Sequence, residues 1–413
     1  MGTKFHNQEP VAERAFLVGA EVRGDEGILS LEDSLRELAL LADTAGLDVV
    51  GQATQRLDRA EPATFIRGGK IEEVSQALTL HDAKVVIFDD ELSPRHQREL
   101  EKRLGEEIRV LDRSALILDI FAQHAQTHEG ALQVELAQYE YRLPRLTRQW
   151  THLARQGGGG SIGGGAGGVG LRGPGETQLE VDRREIGAKI SKLKEELERV
   201  RVHRETHRRK RRESGLPVIA LVGYTNAGKS TLLQSLTDSQ TYIADQLFAT
   251  LDPLTRRAAL PSGREILFSD TVGFIQKLPT TLIAAFRATL EEVTEADLLL
   301  HVVDVSHPNV IEHIETVEDT LAEIEMPNVR RVLVWNKSDL YSSEDLPEIN
   351  KSDIYDAEVL VSARKKRGLD VLMTSIEDTL AKSMYRIKLL IPYAAGDIVS
   401  RLFDQAYVEE QSH

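Results

Sequence analysis

The sequence predicts an α/β protein: a doubly wound, mostly parallel sheet in its second half, preceded by a smaller α/β domain and a long antiparallel helical hairpin. Three observations predict it. Short apolar strands alternate with helix-periodic segments in two separate regions, the pattern of parallel α/β sheets. Between those regions lie two heptad-spaced apolar seams flanking a glycine-dominated stretch. Apolar residues make up 41 % of the 413 residues, enough for more than one core.

The first region runs from about Ala15 to Leu118. Ala15-Phe16-Leu17-Val18-Gly19 reads as a strand. Leu31, Leu35, Leu38 and Leu41 recur at helical spacing and predict a helix over 31–45. Val49-Val50 begins a second strand, and Ile71, Val74, Ala77 and Leu78 mark a second helix. Val85 to Phe88 is a buried strand ending at Asp89-Asp90. Ser93-Pro94 then starts a helix, with a capping hydroxyl and a proline in the first turn. Ile108 to Leu111 is a further strand.

The seams follow. Leu132, Leu136, Tyr139, Leu143, Leu146, Trp150 and Leu153 step by fours and threes, with Pro144 expected to kink the helix near Leu143. After the glycine stretch, a second seam runs through Leu179, Ile186, Ile190, Leu193, Leu197 and Val200. The expected organisation is therefore an N-terminal α/β domain over 1–128 and a hairpin over 129–213 with its tip at 157–175. An α/β domain over 214–384 and a short tail over 385–413 complete it. Ser214-Gly215-Leu216-Pro217 marks the boundary before the strand Val218–Val222. In the tail, Ile387–Ile391 is expected as a strand and Gly396–Tyr407 as a helix.

Charge is unevenly distributed. The chain carries −15, yet Ala131 to Arg212 holds 18 Lys+Arg against 10 Asp+Glu, so that segment is +8 and the remainder −23. Arg199 to Arg212 has eight basic residues and one acid, Glu205. Such a localised footprint suits a polyanionic partner, whereas a solvated, salt-bridged helix is the plainer alternative. The chain has no cysteine, which excludes disulfides, thiolate metal sites and cysteine nucleophiles. The N-terminus lacks a signal-peptide core, His6 breaks the myristoylation pattern, and no apolar run is long enough to span a bilayer. The expectation is a cytoplasmic monomer, at most peripherally associated with a membrane.

Three motifs define the chemistry. Gly223-Tyr224-Thr225-Asn226-Ala227-Gly228-Lys229-Ser230 fits G-x-x-x-x-G-K-[ST] and lies between a strand and the helical Thr231-Leu232-Leu233. Its backbone N–H groups can wrap phosphates, Lys229 can neutralise the β- and γ-phosphates, and Ser230 can ligate Mg²⁺. Asp270-Thr271-Val272-Gly273 follows the strand Ile266–Phe268. Asp270 is placed to hold Mg²⁺, and the Gly273 N–H to reach the γ-phosphate. Asn336-Lys337-Ser338-Asp339 follows Arg331–Trp335 and fits N-K-x-D. The Asp339 carboxylate can accept from guanine N1–H and the 2-amino group, a donor pair that adenine lacks. Ser362-Ala363, after Glu358–Val361 and before Arg364, adds a backbone donor for the guanine oxygen.

Phe248-Ala249-Thr250-Leu251-Asp252-Pro253 is the candidate first switch, with Thr250 completing the Mg²⁺ shell and Thr255 as the competing threonine. Lys229, Thr250 and Gly273 are the candidate catalytic residues; Ser230, Thr250 and Asp270 are the candidate metal ligands. Phe274 stands where many P-loop nucleoside-triphosphate hydrolases of the GTP-cleaving kind carry a water-orienting glutamine, so slow basal turnover stimulated by a partner is expected. Asn226 could help hold K⁺ beside the phosphates.

These residues resemble the HflX-type GTPases of the Obg–HflX group. The resemblance rests on the phosphate loop, on Phe248 to Pro253, and on Asp270 to Phe274. It extends to Val86–Pro94, Leu116–Gln123, Gln133–Tyr141, Leu143–Gly159 and Arg172–Arg184, so it covers roughly 12–410. It implies a P-loop GTPase fold and a GTPase that binds the 50S subunit and the 70S ribosome. It further implies ribosome dissociation or rescue under stress, with the hairpin tip against rRNA near the peptidyl-transferase centre. Arg145, Arg148, Arg155 and Arg172 flank that tip and are the candidate rRNA contacts, through phosphates rather than base edges. Trp150 could stack on a base, although its place on the seam favours core packing. The sequence departs from the family in its longer glycine stretch through Ser161 to Gly170, in Ile66-Arg67-Gly68-Gly69-Lys70, and in its short tail. A GTP-dependent switch in rRNA maturation or ribosome assembly is the alternative. An RNA-modifying GTPase is disfavoured by the missing cysteine, and an ATPase by Asn336 and Asp339. DNA is not an expected partner.

Overall fold

A computed structural model describes residues 12–24, 27–105, 107–146, 178–213, 215–237, 247–248, 254–278, 293–324, 329–343, 345–349, 352–382 and 387–392, with isolated positions beyond. The chain divides into two compact units: 1–199 with 277–285, and 200–276 with 286–413.

The first unit carries a four-stranded, wholly parallel sheet in the order β2-β1-β3-β4. Its strands are β1 (Glu13–Val22), β2 (Leu47–Leu57), β3 (Val85–Phe88) and β4 (Arg109–Asp112). Crossovers run through α1 (Leu31–Thr44), α2 (Gly68–His81) and α3 (Pro94–Leu104). Alternation along β1 explains the packing: Phe16, Val18 and Ala20 join a core with Ile71, Val74 and Leu78 of α2 and with Leu100 and Leu104 of α3. The predicted cap holds, because Ser93 accepts from the His96 N–H and Pro94 opens α3. One helix, α4 (Arg113–His124), follows β4 directly, capped by Asp112.

Beneath α4 lies a buried ionic cluster. Arg113 donates to Asp89 (2.8 Å) and Glu37 (2.6 Å) and to the Ser34 carbonyl (2.9 Å). Lys277 also reaches Asp89 and Asp90, at 2.6 Å each. Burial alone would raise the Asp89 pKa, but the Arg113 and Lys277 cations outweigh it and hold the carboxyl below its usual value.

The first seam helix, α5 (His128–Arg142), buries Leu132 and Leu136 and ends at the expected kink, passing into a 3-10 turn over Leu143–Arg145 that contains Pro144. The second seam lies on α6 (Gln178–Glu213). Leu193 is buried there, while Lys189 and Lys194 reach Tyr139 and Glu140 of α5. Arg145, expected to contact rRNA, is a structural cation instead. It lies 3.6 Å over the Tyr141 ring and donates to the carbonyls of Tyr141 and Leu92, beside the Asp112 carboxylate. A guanidinium buried and committed this way is withdrawn from contact with a phosphate. Arg148, Trp150, Arg155, Arg172 and the glycine stretch lie outside the described residues.

The second unit holds a six-stranded sheet in the order β10-β9-β8-β5-β7-β6, parallel except for the β6–β7 pair. The strands are β5 (Val218–Val222), β6 (Leu254–Ala259), β7 (Glu265–Asp270), β8 (Leu298–Asp304), β9 (Arg330–Asn336) and β10 (Ala357–Leu360). Helices α7 (Lys229–Thr237), α8 (Val310–Glu323) and α9 (Leu369–Lys382) accompany it. Ile219 and Leu221 of β5 pack with Leu232 and Leu233 of α7 and with Leu372 and Ile376 of α9 in one core. Strand order reverses between β5 and β8, so the carboxyl ends of these strands frame the crevice where parallel α/β sheets place ligands.

Two expectations change. Thr255 sits within β6, opposite Ser269 of β7, so it belongs to the antiparallel ladder. Ile387–Ile391 is not a strand: among the described residues no neighbour pairs with it, and Leu390 is fully exposed. The expected helix at 396–407 lies largely outside the described residues, where only isolated positions are helical.

Candidate functional site

The phosphate loop, Asp270 and Asn336 fall at the carboxyl ends of the parallel strands β5, β7 and β9. The loop Gly223–Gly228 leaves β5 and enters α7 at Lys229. Its first glycine has no alternative, because a Cβ at Gly223 would lie 2.2 Å from the Val302 carbonyl oxygen of β8. Lys229 is buried, and its ammonium donates to the carbonyls of Gly223 (3.0 Å) and Tyr224 (2.9 Å). Burial, partly offset by Asp270, pushes its pKa down to about 8.

The Ser230 hydroxyl donates to Asp270 at 2.7 Å, which brings two of the three candidate metal ligands together. Asp270, fully buried at the end of β7, also accepts from the Thr271 N–H, and the Thr271 hydroxyl is fixed on the Leu221 carbonyl. Val272 is buried, and Gly273 then passes against the phosphate loop. A Cβ on it would lie 2.8 Å from Thr225 Cγ2 and 3.1 Å from Lys229 Nζ. Phe274 is buried, and its backbone pairs with the loop: its N–H donates to Gly223 (3.1 Å) and its carbonyl accepts from Thr225 (2.8 Å).

The other end of the site is organised by Asn336 at the end of β9. Its side chain donates to the Ala227 carbonyl (2.9 Å) and accepts from the Ala363 N–H (3.0 Å), tying the phosphate loop to the loop after β10. Gly228 must lack a side chain, since its Cβ would meet Asn336 at 2.4 Å. Lys337 pairs with Asp304, at the end of β8 (2.8 Å). Asp339 accepts from the buried Ser362 hydroxyl. That bond holds its carboxyl below the usual range, so it is an acceptor throughout the neutral pH range. Arg364 follows on the exposed part of the same loop, Asn226 is exposed with a left-handed φ of 59°, and Thr231 is half-buried. Phe248 is buried, whereas Ala249, Thr250, Leu251 and Asp252 lie outside the described residues.

Motif reading missed three contributors. Ser235 of α7 donates to the Ala363 carbonyl (2.8 Å), bracing the same loop as Asn336. Asp304 ends a strand as Asp270 does, a signal that was readable. The Tyr224 ring lies flat on His313 of α8, with centroids 3.8 Å apart and planes 5° apart, and His313 contacts His307. Burial and the adjacent His307 push the His313 pKa down to about 3, so this stack is neutral. No sequence pattern announces a contact between residues so far apart. Among the described residues no cluster of three or more His, Asp and Glu suits a metal, and no helix is long and apolar enough to cross a membrane.

Three family profiles match consecutive parts of the chain. One described as the GTP-binding GTPase N-terminal region matches 32–122, one described as the middle region matches 124–211, and one described as a 50S ribosome-binding GTPase matches 218–337. The GTPase HflX of Alkalihalophilus pseudofirmus is 45 % identical over 400 residues, covering 97 % of this chain and 90 % of that protein. The GTPase HflX of Escherichia coli is 42 % identical over 399 residues, with 97 % and 90 % covered. A solved GTP-binding protein from Sulfolobus solfataricus, in complex with GDP, aligns at a TM-score of 0.46 and 23 % identity, over 90 % of this chain and all of that one.

Proposed function

The chain belongs to the HflX family of GTPases, and from that premise we propose that it binds the large ribosomal subunit and couples GTP binding and hydrolysis to ribosome dissociation or rescue under stress. It is a GTP hydrolase with a P-loop GTPase domain. The observation that carries the site reading is the single bonded path from the phosphate loop through Asn336 to Ala363, with Ser362 orienting Asp339 on the same loop. Gly223 to Thr231 hold the phosphates, and Asn336, Lys337, Asp339, Ser362, Ala363 and Arg364 enclose the base.

The oxygen pair of Ser230 and Asp270 suits a hard divalent cation, and Thr250 is the third expected ligand. Mg²⁺ there would neutralise charge on the β- and γ-phosphates. Asn226 is the candidate for K⁺. GTP favours one arrangement of the Gly273 segment and of the first switch, and hydrolysis releases it. That difference in contacts is what couples the nucleotide to a partner.

Ribosome binding draws support from the profile over 218–337 and from the basic run Arg199–Arg212 on α6. Phosphate contacts by such a run release counterions and make binding steeply salt-dependent. Sedimentation with 50S subunits tests the reading. The chain should pellet with a non-hydrolysable GTP analogue and much less with GDP. Neutralising Arg204, Arg208, Arg209 and Arg211 should weaken pelleting and lower the log–log salt slope by about 3. Absence of pelleting with either nucleotide counts against the reading.

A further inference from the structure

We propose that Thr225 is a catalytic residue, the water-positioning group for GTP hydrolysis in place of the glutamine that Phe274 replaces. The proposal rests on the reading of Gly223–Ser230 as the phosphate loop. Thr225 is the third residue of that loop and is 6 % exposed. Its Oγ1 is buried and has no hydrogen-bond partner among the described residues. Buried hydroxyls are nearly always paired, because leaving one unpaired costs free energy, so this group is available to a ligand of the loop.

Its surroundings say where. The Thr225 side chain and the Lys229 ammonium converge on Gly273: a Cβ built there lies 2.8 Å from Thr225 Cγ2 and 3.1 Å from Lys229 Nζ. Gly273 and Lys229 are the groups assigned to the γ-phosphate, so the Thr225 side chain lies at that end of the cradle, with its methyl toward Gly273. It is also held still. The Thr225 N–H is bonded to the Phe274 carbonyl at 2.8 Å. The preceding residue, Tyr224, is stacked on His313, and its hydroxyl accepts from the Gln276 N–H at 3.0 Å. A β-branched side chain adds its own stiffness at χ1.

A threonine hydroxyl carries one donor and two acceptor lone pairs. It can accept a hydrogen from the attacking water while donating its own to a γ-phosphoryl oxygen, the same double duty that a carboxamide performs. In the step, the water oxygen bonds to the γ-phosphorus and the bond from phosphorus to the β–γ bridging oxygen breaks. GDP leaves with that electron pair, and the water's proton passes to a γ-phosphoryl oxygen. Thr225 keeps its own hydrogen. Phe274 cannot take this role, since its side chain is buried and its backbone is committed to the loop.

Single-turnover hydrolysis by the full chain, with and without 50S subunits, tests this in Thr225→Val and Thr225→Ser. Equilibrium titration of GDP and a non-hydrolysable GTP analogue is run in parallel. Valine keeps the shape packed against Gly273 and removes the hydroxyl; serine keeps the hydroxyl. Thr225→Val should hydrolyse at least about tenfold more slowly at nearly unchanged nucleotide affinity, and Thr225→Ser should retain most of the rate. Wild-type turnover by the valine variant, equal losses in both variants, or a rise in KM at unchanged kcat would each overturn the proposal. Failure of the unsubstituted chain to bind guanine nucleotide would overturn the underlying site reading, and the proposal with it.

Discussion

Lys229 shows how one buried side chain sets a measurable property of the site. Its ammonium is kept from water and held on two loop carbonyls, and burial brings its pKa to about 8. Nucleotide phosphates favour the charged form. Below about pH 8 the ammonium is already present, so binding moves no proton there. Above it, the free protein has lost the proton that the complex needs, so binding must take one up and affinity falls as pH rises. Calorimetry at pH 8.5 in two buffers of different ionisation enthalpy should show net proton uptake, and Lys229→Ala should abolish binding. Much of this site was legible in the sequence, because phosphate and guanine recognition need fixed residue types at strand ends. Gly223, Lys229, Asp270, Asn336 and Asp339 fall where that logic puts them. Thr225 was legible only as a loop position. The tertiary packing that leaves its hydroxyl unpaired, and that seats Tyr224 on His313, has no one-dimensional signature.

At the level of elements, local chemistry was the reliable guide. Ser93-Pro94 starts α3, Pro144 ends α5, and apolar periodicity locates α1 and α2. Where a segment depends on a neighbour, the sequence misleads. Ile387–Ile391 has the composition of a strand but forms no ladder, and Arg145 looks like a surface cation yet is closed over Tyr141. The cluster that joins α1, β3 and α4 was also invisible, since Glu37, Asp89 and Arg113 meet only in the folded sheet. Removing Arg113 takes away the buried cation that Asp89 and Glu37 share. Arg113→Met should therefore destabilise the first unit by about 3–5 kcal/mol. Hydrogen exchange should show this as a loss of protection in β1, β3 and β4 that spares β5 and β8. Unchanged protection there would mean that the cluster contributes nothing to stability.

For the molecule as a whole, two features stand apart in the sequence: the Asp339 carboxylate proposed to read guanine, and a basic run on a long helix in an otherwise acidic chain. If the nucleotide governs the partner, changing which base is read must change which nucleotide drives ribosome binding. Asp339→Asn exchanges the acceptor for a group suited to xanthine. Sedimentation of both proteins with 50S subunits, each with a non-hydrolysable guanine or xanthine triphosphate analogue, tests this most directly. The account predicts that the unsubstituted chain pellets with the guanine analogue, and Asp339→Asn with the xanthine analogue only. Equal pelleting of Asp339→Asn with both analogues, or its retention of guanine preference, would contradict it.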